Sequence, residues 1–133
     1  MKKKILIVLA SYYKDISNNL LKGTKEEFKS SISRTFKFKV INVPGVFEIP
    51  VTISKNIKKY DCFVSLACVI KGETPHFEFI SSAATNAIMD LSIKYKKPIG
   101  NGIITCLNKN QAEKRAKIKG KEAAKAVISV LSQ

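Results

Sequence analysis

Residues 61–69 read DCFVSLACV, and this nearly continuous apolar run decides the fold class. A strand covered on both faces, as in a parallel sheet, carries such a run instead of alternating polar and apolar residues. Residues 4–10, KILIVLA, show the same pattern. We therefore predict two buried, parallel central strands.

Two further runs have the character of strands. Residues 36–43, FKFKVINV, alternate lysine with apolar residues, which is typical of an edge strand. Residues 98–106, PIGNGIITC, contain Gly100 and Gly102, which indicates that another part of the protein lies close to this backbone.

Helical patterns separate these four runs. Apolar residues recur at helical spacing in residues 16–31, 47–57, 76–95 and 110–131. The third pattern is rich in small residues, so we expect it to pack closely against the sheet or another chain. The fourth is expected to be interrupted near Gly120.

Strict alternation of strand and helix implies parallel strands with right-handed crossovers. We predict an α/β three-layer sandwich whose four-stranded parallel sheet has the flavodoxin-like order 2-1-3-4 and is flanked by helices. The length of 133 residues indicates one domain, spanning residues 1–133.

The formal net charge of +14 raises the question of nucleic-acid binding. Only Arg34 and Arg115 are arginines, and the lysines are spread over the whole chain. No RNA-recognition motif, helix-turn-helix or long basic tail accompanies them. A compositional bias of the source genome explains the lysines equally well, so specific nucleic-acid binding is not expected.

Other compositional features argue against a metal site and a membrane protein. Cys62, Cys68 and Cys106 form no C-x-x-C pair, and a single histidine completes no zinc set, so we expect reduced, buried thiols and no metal. The start, MKKKILIVLASYYKD, has a basic head and a short apolar run but no small-residue cleavage site. We interpret it as a buried strand of a cytoplasmic protein.

In open parallel sheets, ligands bind beyond the carboxyl ends of the strands. The first strand is followed by Tyr12 and Tyr13, either of which could stack on a flat ligand or pack beneath the loop. The second is followed by a Pro-Gly turn and then Phe47 and Glu48. Glu48 also suits the positive end of a helix dipole, so a structural role explains it as well.

The third strand is followed by residues 71–79, KGETPHFEF, which contain the only histidine. Thr74 is a good helix N-cap and Pro75 a good first helical residue, so the backbone N–H groups here can bind an anion. His76 lies in the first turn, where the dipole disfavours the imidazolium and keeps a neutral base available near pH 7. A solvated surface histidine is the alternative.

The fourth strand contains Asn101, and Arg115 follows in the next helix. In a chain where lysine fills almost every cationic position, a retained arginine suggests that a bidentate fork is needed, as for phosphate. A surface ion pair with Glu113 remains an alternative.

Together these segments resemble the 6,7-dimethyl-8-ribityllumazine synthase family. Residues 44–50, PGVFEIP, are similar to its PG-A-FEIP segment, and residues 68–79, CVIKGETPHFEF, to its CVIRGETPH segment. Residues 5–13, ILIVLASYY, and residues 98–116, PIGNGIITCLNKNQAEKRA, match its first strand and its QA-x-x-RA block. The resemblance covers nearly the whole chain.

The resemblance implies a condensation of 5-amino-6-(D-ribitylamino)uracil with 3,4-dihydroxy-2-butanone 4-phosphate, without a metal or organic cofactor. His76 would transfer protons, and the other matched positions divide into two groups. The uracil and its ribityl chain would contact Tyr12, Val46, Phe47, Glu48, Cys68, Val69, Ile70 and Asn101. The phosphate would be bound by Glu73, Thr74 and Arg115, the arginine coming from a neighbouring subunit of a pentamer or of an icosahedral shell of pentamers.

Three positions depart from the family pattern. Asn101 stands where many members carry a phenylalanine of the pocket, and Tyr12 where phenylalanine is usual. The segment after Arg115 is short, and either Lys119 or Lys121 could replace its usual lysine. An archaeal-type riboflavin synthase of the same fold and a non-catalytic basic scaffold or nucleic-acid-binding protein are the alternative functions; the intact GETPH segment favours the lumazine synthase.

Overall fold

The computed structural model describes residues 2–31, 35–72 and 77–133. Its four strands are β1 (Lys2–Ala10), β2 (Thr35–Val43), β3 (Cys62–Ile70) and β4 (Ile99–Cys106). Its helices are α1 (Lys14–Lys29), α2 (Ile49–Lys55), α3 (Phe77–Tyr95) and α4 (Lys109–Leu131), and a single 3-10 turn (Val46–Glu48) leads into α2.

The four strands form one parallel sheet in the order β2-β1-β3-β4. Ile5 pairs with Phe38 of β2 on one side and with Cys62 of β3 on the other. The predicted strand order is therefore confirmed, and the lysine-rich run forms an edge strand as expected.

Side chains of β1 alternate between two cores, one on each face of the sheet, because successive strand residues point to opposite sides. Ile5, Ile7 and Leu9 pack with apolar residues of α1 and α4. Leu6 and Val8 pack with residues of α2 and α3 on the other face. The predicted three-layer α/β sandwich is confirmed, and every residue of β1 from Ile5 to Ala10 is buried.

The expected interruption of the last helix at Gly120 is wrong, since α4 is continuous. Gly120 is instead the point at which α4 crosses α1. A Cβ atom on Gly120 would collide with the backbone carbonyl of Leu20. The Thr24 hydroxyl donates to the Gly120 carbonyl at 3.1 Å, which ties the two helices together. A glycine inside the helix is tolerated because only that residue permits this approach.

The two glycines of β4 also mark a close approach, as predicted. A Cβ atom on Gly100 would lie 2.5 Å from the carbonyl oxygen of Ala123, and one on Gly102 would meet the Leu66 side chain. α4 therefore lies directly on the backbone of β4.

Helix α3 packs on the face of the sheet opposite to α4, and few of its side chains are buried there. Of its described side chains, Ala84 and Ile88 are buried, whereas Phe79 is 76% and Ile93 67% exposed. The expectation of close packing against the sheet holds for two residues, and packing against another chain stays a prediction. None of the helices in the described ranges is long and apolar enough to cross a membrane.

Candidate functional site

A cavity of about 310 Å³ opens at the carboxyl ends of β1, β2 and β3. Its wall contains seven of the residues that the sequence predicts for ligand binding, together with four others. The seven are Tyr12, Val46, Phe47, Glu48, Cys68, Val69 and Ile70. The four are Ala10, Tyr13, Gly45 and Ile80. Three separate segments therefore meet at one site.

Hydrogen bonds fix the strand ends that frame this cavity. The backbone N–H of Ser11 donates to the Val43 carbonyl at 3.2 Å, which joins the loops that follow β1 and β2. The buried hydroxyl of Ser17 donates to the Ala10 carbonyl at 2.9 Å and holds the first turn of α1 against the end of β1. The loop that carries the two tyrosines is thereby anchored at both ends.

One of the two tyrosines is exposed to a ligand and the other packs beneath the loop. The Tyr12 ring is 74% exposed, whereas Tyr13 is half-buried and packs against the core beneath α1. Their ring centroids lie 4.8 Å apart with an interplanar angle of 83°, an edge-to-face contact. Tyr13 thus supports Tyr12, whose ring is available to stack on a ligand.

The turn between β2 and α2 presents a second wall. The backbone N–H of Glu48 donates to the Gly45 carbonyl at 3.2 Å, closing the turn, and Val46 is buried beneath it. The Phe47 side chain is 65% exposed. The carboxylate of Glu48 folds back toward Gly45, since a Cβ atom there would lie 3.3 Å from Oε1. An aromatic face and a hydrogen-bond acceptor thus stand side by side at the rim.

The end of β3 forms the floor. Burial, with a smaller contribution from the neighbouring Cys106, raises the pKa of the Cys68 thiol from 9.0 to about 12. Cys68 is therefore a neutral thiol at physiological pH, which is the wrong form for a nucleophile. Val69 and Ile70 add apolar surface.

Arg115 lies at the same edge of the sheet but outside the wall of this cavity. Its Nη1 atom donates to the carbonyl of Thr105 at 3.5 Å and to Sγ of Cys106 at 3.6 Å. Its side chain is otherwise exposed, and no ion pair with Glu113 is present among the described residues. The guanidinium is thus held through Nη1 against the end of β4.

The predicted phosphate-binding segment at Glu73 and Thr74, and the predicted base His76, lie outside the described residues. Immediately before them, Gly72 has φ of +92°, a left-handed conformation that favours glycine. A cluster of His, Cys, Asp and Glu side chains suited to a metal ion is absent from the part of the chain that the structure describes.

Comparison with known proteins gives a consistent result. The family model for 6,7-dimethyl-8-ribityllumazine synthase matches residues 2–133. The chain belongs to this family. A 6,7-dimethyl-8-ribityllumazine synthase of Bartonella tribocorum is 40% identical over 141 residues, covering 99% of this chain and 91% of the relative. Similar proteins of Rhodopseudomonas palustris and Nitrobacter hamburgensis are 41% and 39% identical, each covering 96% of this chain and 83% of the relative.

Two of the residues that match substrate-binding positions of the lumazine synthase family, Asn101 and Arg115, lie outside this cavity. Asn101 pairs with Ser65, three residues before the pair formed by Cys68 and Ile104, which is about 10 Å along the strand. Its Oδ1 atom accepts from the N–H of Ile103 at 3.0 Å. Like Arg115, Asn101 is not part of the wall of this cavity.

Lys119 and Lys121, the two candidates for the family's lysine after Arg115, both lie in α4, so their positions can be compared. Lys119 lies one helical turn after Arg115 and is half-buried on the same face of α4. Lys121 faces α1, where its ammonium lies 3.9 Å from the Glu26 carboxylate. The placement favours Lys119 over Lys121 as the lysine near Arg115.

The sequence did not identify Ile80 as a residue of the site. Ile80 lies in the first described turn of α3 and lines the cavity. It looks like an ordinary apolar residue of an amphipathic helix, and only its position four residues after His76 in the sequence would have indicated its proximity to the site.

Proposed function

We propose that this chain condenses 5-amino-6-(D-ribitylamino)uracil with 3,4-dihydroxy-2-butanone 4-phosphate to form 6,7-dimethyl-8-ribityllumazine, releasing phosphate and water, as the penultimate step of riboflavin biosynthesis. The observation that carries this proposal is the meeting of three family-matched segments, at residues 12, 46–48 and 68–70, in one cavity at the carboxyl edge of the sheet. A flat pyrimidine with a polyhydroxyl chain suits walls of this composition.

The pyrimidine ring stacks on Tyr12 and rests on the end of β3. Tyr12 is exposed and braced by Tyr13, so stacking requires little rearrangement. Cys68, Val69 and Ile70 supply an uncharged surface for the other side of the heterocycle. Because the Cys68 thiol stays neutral, it contacts the substrate without attacking it.

The ribityl chain lies along the turn formed by Val46, Phe47 and Glu48. The Glu48 carboxylate at the rim accepts hydrogen bonds from hydroxyl groups, and Phe47 covers the carbon chain. This segment orients the substrate amine toward the second substrate, and orientation of two reactants supplies a large share of the rate in such condensations.

The phosphate of the second substrate binds backbone N–H groups at Glu73 and Thr74 and the guanidinium of Arg115. His76 transfers protons while the imine forms, phosphate leaves and the ring closes. These steps need a proton carrier and an oriented anion, so neither a covalent intermediate nor a cofactor is required.

The active site is shared between two subunits of a pentamer, or of an icosahedral shell of pentamers. Arg115 and Asn101 lie outside the cavity of their own chain, so they complete the cavity of a neighbouring copy. The exposed apolar side chains of α3, such as Phe79 and Ile93, provide surface for such an assembly. Lys119 accompanies Arg115 into the neighbouring site.

The purified chain mixed with both substrates tests this function. We expect fluorescent lumazine and free phosphate to appear together in equal amounts, much faster than in the uncatalysed mixture. A rate equal to the spontaneous reaction contradicts the proposal. Supplying lumazine alone and detecting riboflavin would instead identify a riboflavin synthase, and this outcome also contradicts it.

A further inference from the structure

A second and larger cavity lies at the opposite end of the sheet from the candidate active site. Its volume is about 540 Å³, within the range of small-molecule sites in proteins. Its wall is dominated by lysine: Lys4, Lys37, Lys39, Lys58 and Lys59, with Phe38 and Tyr60 beside them. We call it the basic cavity. The role proposed above for the chain does not use it.

The strand register explains why three of these lysines share one face. Lys4 pairs with Lys37 and Leu6 pairs with Lys39 across β1 and β2. Paired residues of a parallel sheet point to the same side, and Leu6 packs into the core beneath α2 and α3. α2 ends at Lys55, so the amino ends of these two strands extend beyond the layer that covers the rest of this face.

The segment after α2 closes the cavity and is held in place. The ammonium of Lys97 donates to the carbonyls of Ile57 at 2.6 Å and Tyr60 at 2.9 Å. The N–H of Lys59 donates to the Asn56 carbonyl at 3.0 Å. Lys58, Lys59 and Tyr60 are thus carried on a turn whose backbone is fixed before any ligand arrives, which reduces the entropic cost of binding.

The positive charge of the basic cavity has no carboxylate partner within the described ranges. Both ion pairs found there join Glu26 to lysines of α4, on the other face of the sheet. Asp61 is the acidic residue nearest in sequence, and its Oδ2 accepts from the backbone N–H of Lys4 at 2.8 Å. Five lysines line one cavity, and a multivalent anion that binds there would reduce the repulsion between their charges.

We propose that the basic cavity binds a small organic anion with two or more phosphate groups, of the nucleoside di- or triphosphate class. Lysine ammonium groups bind phosphate as point charges without the fixed geometry of an arginine fork. Affinity therefore depends on the number of phosphates, and Tyr60 gives a modest preference for a ligand that carries an aromatic base. A cavity of this size accommodates one nucleotide, whereas a nucleic acid would need a longer basic groove.

Isothermal titration of the full chain with ATP, AMP, inorganic tripolyphosphate and a short single-stranded RNA tests the proposal. We expect ATP to bind about tenfold or more tightly than AMP, and slightly more tightly than tripolyphosphate. Raising the salt concentration should weaken the binding of ATP more than that of AMP, because the ligand with more charge loses more attraction on screening.

A charge-matched pair of variants locates the site. The triple variant K37Q/K39Q/K58Q removes three lysines of the basic cavity, and K22Q/K29Q/K125Q removes three exposed lysines elsewhere, with the same change in net charge. We expect the first to weaken ATP binding about tenfold or more and the second to change it less than about twofold. Circular dichroism and thermal unfolding establish that both variants are folded.

Several outcomes overturn the proposal. Equal weakening in the two triple variants would show that ATP responds only to the overall charge. Displacement of ATP by the ribitylaminouracil substrate would place it in the cavity at the carboxyl edge. Binding of RNA without binding of ATP or tripolyphosphate would indicate a nucleic-acid surface. Because the basic cavity and the candidate active site share no lining residue, lumazine formation should be unchanged in K37Q/K39Q/K58Q.

Discussion

Nη1 of Arg115 donates to the sulfur of Cys106 at 3.6 Å. The same nitrogen also donates to the Thr105 carbonyl at 3.5 Å. The buried end of β4 therefore sets the direction of an exposed guanidinium on α4. The side chain is exposed, so the guanidinium is accessible to an anion.

Replacing Arg115 with alanine should mainly weaken use of the phosphate-bearing substrate. A hydrogen bond to a charged group contributes about 1.5–3 kcal/mol, so we expect KM for 3,4-dihydroxy-2-butanone 4-phosphate to rise about 10- to 100-fold. KM for the ribitylaminouracil should change little. Steady-state kinetics with each substrate varied in turn measures both. Lys114→Ala, an exposed cation one position earlier, is the matched control, and an unchanged KM in Arg115→Ala would refute the assignment.

Replacing His76 with alanine should slow turnover without abolishing it. General acid–base catalysis typically contributes about 10²- to 10⁴-fold, and we expect a loss near the lower end, since orientation of the two substrates persists in the variant. Single-turnover measurements with both substrates saturating report this loss directly. Glu78→Ala, two residues later and exposed, should retain full activity. A His76→Ala enzyme with the wild-type kcat would exclude a role in proton transfer.

We expect Cys68 to lower the free energy of unfolding as the pH rises above about 9. Its pKa is raised from 9.0 to about 12, so below pH 9 the folded and unfolded chains hold this proton equally. Between these two values the unfolded chain releases the proton and the folded chain keeps it, so the free energy of unfolding falls as the pH rises. Urea unfolding at pH 7 and pH 10.5 should show a smaller fall in Cys68→Ala than in the wild type.

The rate at which Cys68 is alkylated provides a second test of its raised pKa. Iodoacetamide at pH 8 should modify Cys68 of the folded chain far more slowly than it modifies the urea-unfolded chain, because only the thiolate reacts. Mass spectrometry of the digested protein locates the modified residue. Rapid modification of folded Cys68, or identical alkaline destabilisation in Cys68→Ala, would show that its pKa is not raised.

Replacing Gly120 with alanine should destabilise the fold although alanine favours helices. The added methyl group collides with the Leu20 carbonyl and separates α1 from α4. Overpacking of this kind costs about 1–3 kcal/mol. Chemical denaturation measures the change in the free energy of unfolding. Ser129→Ala, on the exposed face of the same helix, should be neutral or slightly stabilising, and a Gly120→Ala protein as stable as the wild type would contradict the close crossing.

Gly120 also shows where prediction from the sequence reached its limit. A glycine within a helical pattern predicts an interruption when only its neighbours are considered. Its actual role depends on Thr24, which is 96 residues away in the chain. Continuous apolar runs such as residues 61–69 are different, because burial on both faces is a local requirement, and they identified β1 and β3 correctly.

The candidate site was predictable for the same reason that the sheet was. Once the strands are parallel and in order, the residues that follow them must meet at one edge, as Tyr12, Glu48 and Cys68 do. The sequence did not indicate that Asn101 lies about 10 Å back along β4, because that distance depends on the register between β3 and β4. Nor did it indicate Ile80, which lines the cavity from α3.

The proposed sharing of each site by two subunits is tested most directly by complementation. One variant, Tyr12→Ala with Phe47→Ala, loses the walls of the cavity, and the other, Arg115→Ala, loses the phosphate-binding fork. Co-expressed and purified together, they form some sites from an intact cavity and an intact arginine. We predict lumazine formation of up to about one quarter of the wild-type rate, from random pairing around a closed ring, and well above that of either variant alone. A mixture no more active than the better variant would contradict the shared site.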